Sequence, residues 1–298
     1  MLIGLKVDIG FSEDETCRRL YGERDILSYL RELGIEAVET PVGPETRPHV
    51  LREHIARCIN AGLKISLHPY SEATIFNPAY FSPAADNPCR VLHERFLSLA
   101  AEAARMERSP TVVNIHAAAG SSEESRQHLV DQSIAFFSWA GRWCRQNAPE
   151  VGVTVELQIS PNADEPRLRI GDTYEELLGI ATQSEVRACW DFGHAYWNAY
   201  RYGWPLHPPD ALLPRIGHVH CHDVRHDHVG GEDHQPLVYH TVPWRDFLTL
   251  LAGNGFDGRI ILEVPPTEFP KAGGLQSLTD SVQALLAWRR QCPSAAQR

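Results

Sequence analysis

Eight short apolar runs alternate with longer amphipathic stretches along the chain, and that alternation leaves few architectures open. The runs occupy 2–10 (LIGLKVDIG), 35–42 (IEAVETPV), 63–70 (LKISLHPY), 111–118 (TVVNIHAA), 151–158 (VGVTVELQ), 186–193 (VRACWDFG), 216–223 (IGHVHCHD) and 259–266 (RIILEVPP). They are rich in β-branched residues and nearly continuous in hydrophobicity, as strands buried on both faces of a parallel sheet should be. Helical periodicity predicts helices over 24–34, 49–62, 90–106, 124–147, 173–182, 243–255 and 275–291, the first two ending on Gly34 and Gly62. Ser121 and Glu124 have capping-box spacing ahead of the fourth. The connection after the sixth run, AYWNAYRYGWPLHPPDALLPR, is aromatic and Pro-rich, and is expected to be a loop with at most a short helix at 210–213. Strand-then-helix alternation repeated eight times in 298 residues indicates a parallel (β/α)8 TIM barrel, one domain over 1–298. A doubly wound open sheet is the alternative, but the first run is not followed by a Gly-rich phosphate turn.

Charge narrows the partners. The net charge is −10, and Lys occurs only at positions 6, 64 and 271, so a broad basic surface for nucleic acid is not expected. No apolar run approaches the ~20 residues of a membrane span. The N-terminus carries no signal-peptide pattern. Seven scattered cysteines, odd in number and without a C-x-x-C, argue against a disulfide framework and for a reducing cytoplasm.

Barrel enzymes build their sites at the C-terminal ends of the strands. Here run three ends with His68, run four with His116, run five with Glu156 and run six with Asp191, followed by His194. Run seven carries His220, with His218 and His222 on the same alternating face, and run eight ends with Glu263. The loop after run seven adds His226, His228, Glu232, Asp233 and His234. A lone histidine at a strand end is more often structural than a ligand. Six consecutive strands that each deliver a His, Asp or Glu to one rim are a different matter, because burying so many such groups is costly unless a cation compensates. The donor set suits zinc or manganese, with cobalt or magnesium as alternatives. No organic cofactor is implied.

In this order, SLHPY, NIHAAAG, VELQ, CWDFGHA, HVHCHD, EDH and LEVP resemble the xylose isomerase-like TIM-barrel superfamily, which holds endonuclease IV and many sugar isomerases and epimerases. The resemblance spans residue 2 to about 290; each motif is weak, and the ordered set is specific. By resemblance to the tagatose and psicose type of epimerase, Glu156, Asp191, His220 and Glu263 hold one metal and the two glutamates move protons. By resemblance to endonuclease IV, His68, His116, His194 and the loop's Asp-x-His add further ligands. That last motif reads Glu232-Asp233-His234 here, with a longer Glu where Asp is expected. The Gly-x-His-x-Ser-like motif that endonuclease IV would place on strand one is missing from IGLKVDIGFS.

Outside the metal set, Arg225, Tyr70 and Trp197 are candidate substrate contacts, whereas Trp139, Trp143 and Trp288 are expected to be packing residues. The expected activity is divalent-metal-dependent isomerisation or epimerisation of a small sugar-like substrate through an enediolate, with Glu156 and Glu263 moving the proton and His194 holding a substrate oxygen. The alternative is a multinuclear zinc phosphoesterase of the endonuclease IV type. The partner expected is a small molecule rather than nucleic acid or membrane, with a homo-oligomer left open.

Overall fold

The computed structural model describes residues 1–69, 75–162, 164–226 and 231–291. Eight parallel strands close into a barrel: β1 (Leu2–Lys6), β2 (Ala37–Val42), β3 (Lys64–Pro69), β4 (Thr111–Ile115), β5 (Val151–Glu156), β6 (Arg187–Asp191), β7 (Ile216–Cys221) and β8 (Arg259–Leu262). Each strand pairs with its neighbours in sequence, and β1 closes the ring against β8, Leu2 opposite Arg259 and Leu5 opposite Leu262. All eight runs are strands, and the first is shorter than expected, ending at Lys6 rather than 10.

Helices fill the outer layer, with ends set by local chemistry. Asp25 caps Ile26–Leu33 by accepting from the Ser28 amide at 3.0 Å, and Gly34 stops it at φ 97°, a left-handed conformation that glycine adopts without a Cβ penalty. Ser121 and Glu124 do pair, the Ser121 amide donating to the Glu124 carboxylate at 2.8 Å. That pair closes a turn, however, and the helix starts five residues after Ser121, at Arg126, capped by Ser125.

The largest departure follows β6. Where a loop was expected, Phe192–Tyr202 is an α-helix, and a short 3-10 turn lies at Leu213–Arg215 instead of 210–213. Two local signals explain it: Asp191 caps the helix by accepting from the His194 amide at 2.7 Å, and Gly203 ends it at φ 68°. Phe192, Ala195 and Trp197 are buried, so this aromatic helix packs as part of the barrel top. Two short two-stranded antiparallel sheets also decorate the C-terminal rim, Ala119–Ser121 with Arg167–Arg169 and Asp223–His226 with Gly231–Gln235. Among the described residues six cysteines are free and buried, and no helix is long and apolar enough to cross a membrane.

Candidate metal centre

The strand ends bring His68, His116, Glu156, Asp191, His194, His220 and Glu263 to one point at the C-terminal rim. Among the described residues, overlapping groups of ligand-type atoms form there, each within 4.8 Å: His68, His116 and Glu156; Glu156, Asp191, His220 and Glu263; and Asp191, His194, His222 and His234. Glu156 and Asp191 are shared between adjacent groups. A deeper group is Cys189, His218 and His220.

The spacing is that of ligands around an ion. Two ligands each ~2.1 Å from a tetrahedral zinc lie roughly 3.4 Å apart. His68 Nε2 and His116 Nε2 stand 3.5 and 3.4 Å from the Glu156 oxygens. His220 Nδ1 is 3.5 Å from Glu156, 3.7 Å from Asp191 and 2.8 Å from Glu263. His234 Nε2 is 3.5 Å from Glu263.

Unsatisfied atoms point the same way. Asp191 Oδ2, Glu263 Oε2, His194 Nε2 and His220 Nδ1 are buried and make no hydrogen bond among the described residues. Carboxylate oxygens and ring nitrogens that converge without hydrogen bonds would be expensive in an apo site and are accounted for by a shared cation. The residues therefore fit a divalent metal.

Neighbouring groups set the ring tautomers. His68 Nδ1–H donates to the Asn114 carbonyl and His194 Nδ1–H to the Leu157 carbonyl, both at 2.9 Å, leaving Nε2 of each ring to ligate. His220 is held the other way round. Its Nε2–H donates to Glu39 at 2.5 Å, which turns Nδ1 to the acids. Glu39, on β2, also accepts from His218 Nε2 at 2.7 Å. Asn114 donates to Glu156 and fixes its carboxylate.

The electrostatics demand positive charge. Burial alone would raise Glu39, but His218 and His220 hold it well below the usual carboxylate range. Burial would likewise depress His220, yet the acidic groups around it, Cys189, Glu263, Glu39 and Glu156, drive it well above the ordinary imidazole value. His234 is pushed up to about 10, against the effect of burial, by Glu263 and Asp233.

Above the acids lies a cavity of about 550 Å³ lined by Glu156, Glu263, His194 and His234, with Lys6, Gln158, Arg167 and Arg169 around them. Lys6 reaches Glu263 at 3.3 Å.

Several expected site residues lie elsewhere. Glu232 is not in any of these groups: it pairs with Arg225 at 2.6 Å, and its side chain is 43% exposed. The hairpin register shifts between Asp223 and Arg225, and His234 adopts φ 51°, so the loop delivers His234 but not Glu232. Such a backbone is uncommon for a non-glycine residue and tends to persist where a site over-determines it. Trp197 is 3% exposed, sits 4.1 Å beneath the Arg201 guanidinium and does not line the cavity. Arg225 does not line it either, being engaged by Glu232. Tyr70 and His228 lie outside the described residues.

Glu39 and Lys6 went unrecognised in the sequence, and His222 was placed on the face of His220 without being named a ligand. Glu39 had a signal, a carboxylate inside the apolar run AVETPV, where burial requires a partner. His222 had one too, since alternation along HVHCHD puts it on the face of His220. Its Nε2 stands 3.0 Å from Asp191, while its Nδ1 is within reach of both the Asp223 carbonyl and the His234 amide. Only with Nδ1–H donating to Asp223 is Nε2 available as a ligand. Lys6 had no signal, because which strand-one residue faces the cavity depends on where that strand ends.

Related folds are known. No curated protein sequence matches the chain. Among solved structures, a D-psicose 3-epimerase with D-tagatose from Clostridium cellulolyticum H10 is 12% identical, with a TM-score of 0.63 over 99% of this chain and 100% of that one. A xylose isomerase domain protein from Alicyclobacillus acidocaldarius is 18% identical, with a TM-score of 0.60 over 96% and 98%. An AP endonuclease, family 2, from Brucella melitensis is 14% identical, with a TM-score of 0.56 over 89% and 93%. At these identities the likenesses speak for the fold. The xylose isomerase-like TIM barrel pattern matches residues 27–292, and the chain belongs to that family.

Proposed function

We propose that this protein is a divalent-metal-dependent isomerase or epimerase of a small sugar-like molecule. The observation that carries the reading is that Glu156 and Glu263 belong to one four-residue ligand group and both line a cavity of about 550 Å³, a volume suited to a small polyol. A bound divalent ion would supply charge stabilisation for the oxygens of an enediolate. The chain's residues do the rest. Glu156 and Glu263 exchange a proton with the substrate carbon; Lys6, 3.3 Å from Glu263, favours the ionised carboxylate that can accept it. His194, its Nδ1–H committed to the Leu157 carbonyl, presents Nε2 to the ion or to a substrate oxygen. The aromatic helix Phe192–Tyr202 helps to cover the barrel top.

The test is solvent deuterium exchange at carbon in a panel of ketoses with zinc- or manganese-loaded protein. Label should enter the substrate or its epimer, and Glu156→Gln and Glu263→Gln should each abolish it. Absence of exchange across the panel would remove the reading.

A multinuclear phosphoesterase is the second reading, favoured by one observation: the three ligand groups share Glu156 and Asp191, an arrangement suited to bridged ions. Nicking of abasic DNA by metal-loaded protein, lost in Glu263→Gln, would establish it in place of the first.

A further inference from the structure

We propose that the cavity recognises a substrate bearing an oxyanion, a phosphate or a carboxylate, through a donor set supplied by the segment after β5: Gln158, Arg167 and Arg169. The inference rests on the reading of the cavity as a small-polyol site and adds the charge that this polyol carries.

Gln158 is 3% exposed and lines the cavity, yet its side-chain nitrogen has no hydrogen-bond partner among the described residues. A buried amide donor left unmade costs stability, and at a cavity wall its natural partner is an acceptor on a ligand. The same segment then returns to this point. The Gln158 backbone N–H donates to the Gly171 carbonyl at 3.0 Å, closing the excursion between them. Gly171, at φ 80°, permits the turn. Just before it, Arg167–Arg169 pairs antiparallel with Ala119–Ser121.

Strand alternation orients the two arginines. Leu168 packs on the hydrophobic core, so Arg167 and Arg169 share the opposite face, and both line the cavity. Arg169 is braced by donating to the Ile159 carbonyl at 3.2 Å, and Arg167 has Glu165 at 3.5 Å. Two guanidiniums and a buried amide on one wall form the kind of forked donor array that matches phosphate and carboxylate oxygens. The acids and ligand-type histidines occupy the floor, so a short polyol can place its reacting carbons there and its charged terminus on this wall.

Calorimetric titration of the zinc-loaded protein tests this with D-fructose 6-phosphate, D-glucuronate and D-fructose, and with inorganic phosphate added to R167Q/R169Q to gauge anion binding at the metal alone. One charged sugar should bind about 10- to 100-fold more tightly than fructose. Which of the two does so identifies the oxyanion. R167Q/R169Q should erase that preference while retaining the parent's metal content. Gln158→Met should weaken the charged sugar without lowering the melting temperature, because the amide nitrogen it removes has no partner to lose. Equal binding of neutral and charged sugars, no binding of either charged sugar, or a preference that survives R167Q/R169Q would overturn the proposal. Titration reads binding and not turnover, so a failed exchange assay and a failed charge preference remain separate results.

Discussion

Glu39→Gln isolates a carboxylate that touches two of the buried histidines without joining the ligand groups. Glu39 accepts from His218 Nε2 at 2.7 Å and His220 Nε2 at 2.5 Å, with all three residues essentially inaccessible to solvent. Gln offers one oxygen in place of two, so one imidazole N–H must face an amide NH2 or change tautomer. If His220 changes, Nδ1 gains the proton and can no longer ligate. Hydrogen bonds to charged groups contribute about 1.5–3 kcal/mol, which sets the expected loss of apo-protein stability. Substitutions of a group that orients a metal ligand typically cost about 10- to 100-fold in metal affinity, or roughly 1.4–2.7 kcal/mol. Zinc affinity is to be measured by competition with a chromophoric chelator, and stability by denaturant unfolding with and without EDTA. Both should fall in E39Q, and E39D, which keeps two oxygens, should recover part of the affinity. Zinc affinity within about twofold of the parent would refute the assignment of Glu39 as the group that orients His220.

Four further outcomes are expected. EDTA should lower the melting temperature and zinc or manganese restore it, since an ion at 1,000 times its Kd adds about 4 kcal/mol; an EDTA-insensitive melt from a metal-free protein would count against the centre. Asp191→Asn should keep the helix cap at His194, because Asn caps as well as Asp, while elemental analysis shows metal lost; full metal content would contradict its role as a shared ligand. Gly193→Ala would place a Cβ 1.9 Å from the His222 ring, so His222 must move and tight zinc binding at the Asp191–His194–His222–His234 group should weaken while the group around His220 still binds; unchanged metal stoichiometry and affinity would exclude His222 as a ligand. His93, buried with Nε2–H on the Phe76 carbonyl, is depressed by burial to about 4 from 6.5. Below pH 6.5 the unfolded chain binds a proton that the native ring refuses until about pH 4, so stability is lost as pH falls through that window; the stability of wild type relative to His93→Gln should drop by about 3 kcal/mol across it, and a pH-independent difference would refute the claim.

Much of the barrel was legible in the sequence because its signals are local. Parallel strands buried on both faces read as continuous apolar runs, and Gly34 announced its helix end without help from the rest of the fold. The same holds for His68, His116, Glu156, Asp191, His220 and Glu263: a strand's last residues face the rim wherever the strand belongs to a barrel, so the run endings named them. Where two local signals compete, tertiary packing chose. The aromatic segment after Asp191 contained both a cap and a stop, but Pro and aromatic content masked a helix whose stability comes from covering the barrel top. Ser121 and Glu124 made their hydrogen bond as a turn because strand pairing with Arg167–Arg169 occupies that stretch. Glu39 joins His218 and His220 across about 180 residues of sequence, a contact that exists only once β1 closes the ring between β2 and β8. Likewise Arg167 and Arg169 read as ordinary charged loop residues until pairing with Ala119–Ser121 and a partly buried Leu168 turn both toward one cavity. The sequence by itself determined the strands and the acids and imidazoles at their ends, through periodicity and burial cost. Barrel closure and loop register alone decided which oxygen faces which nitrogen, because side chains far apart in the chain meet only when the ring is complete.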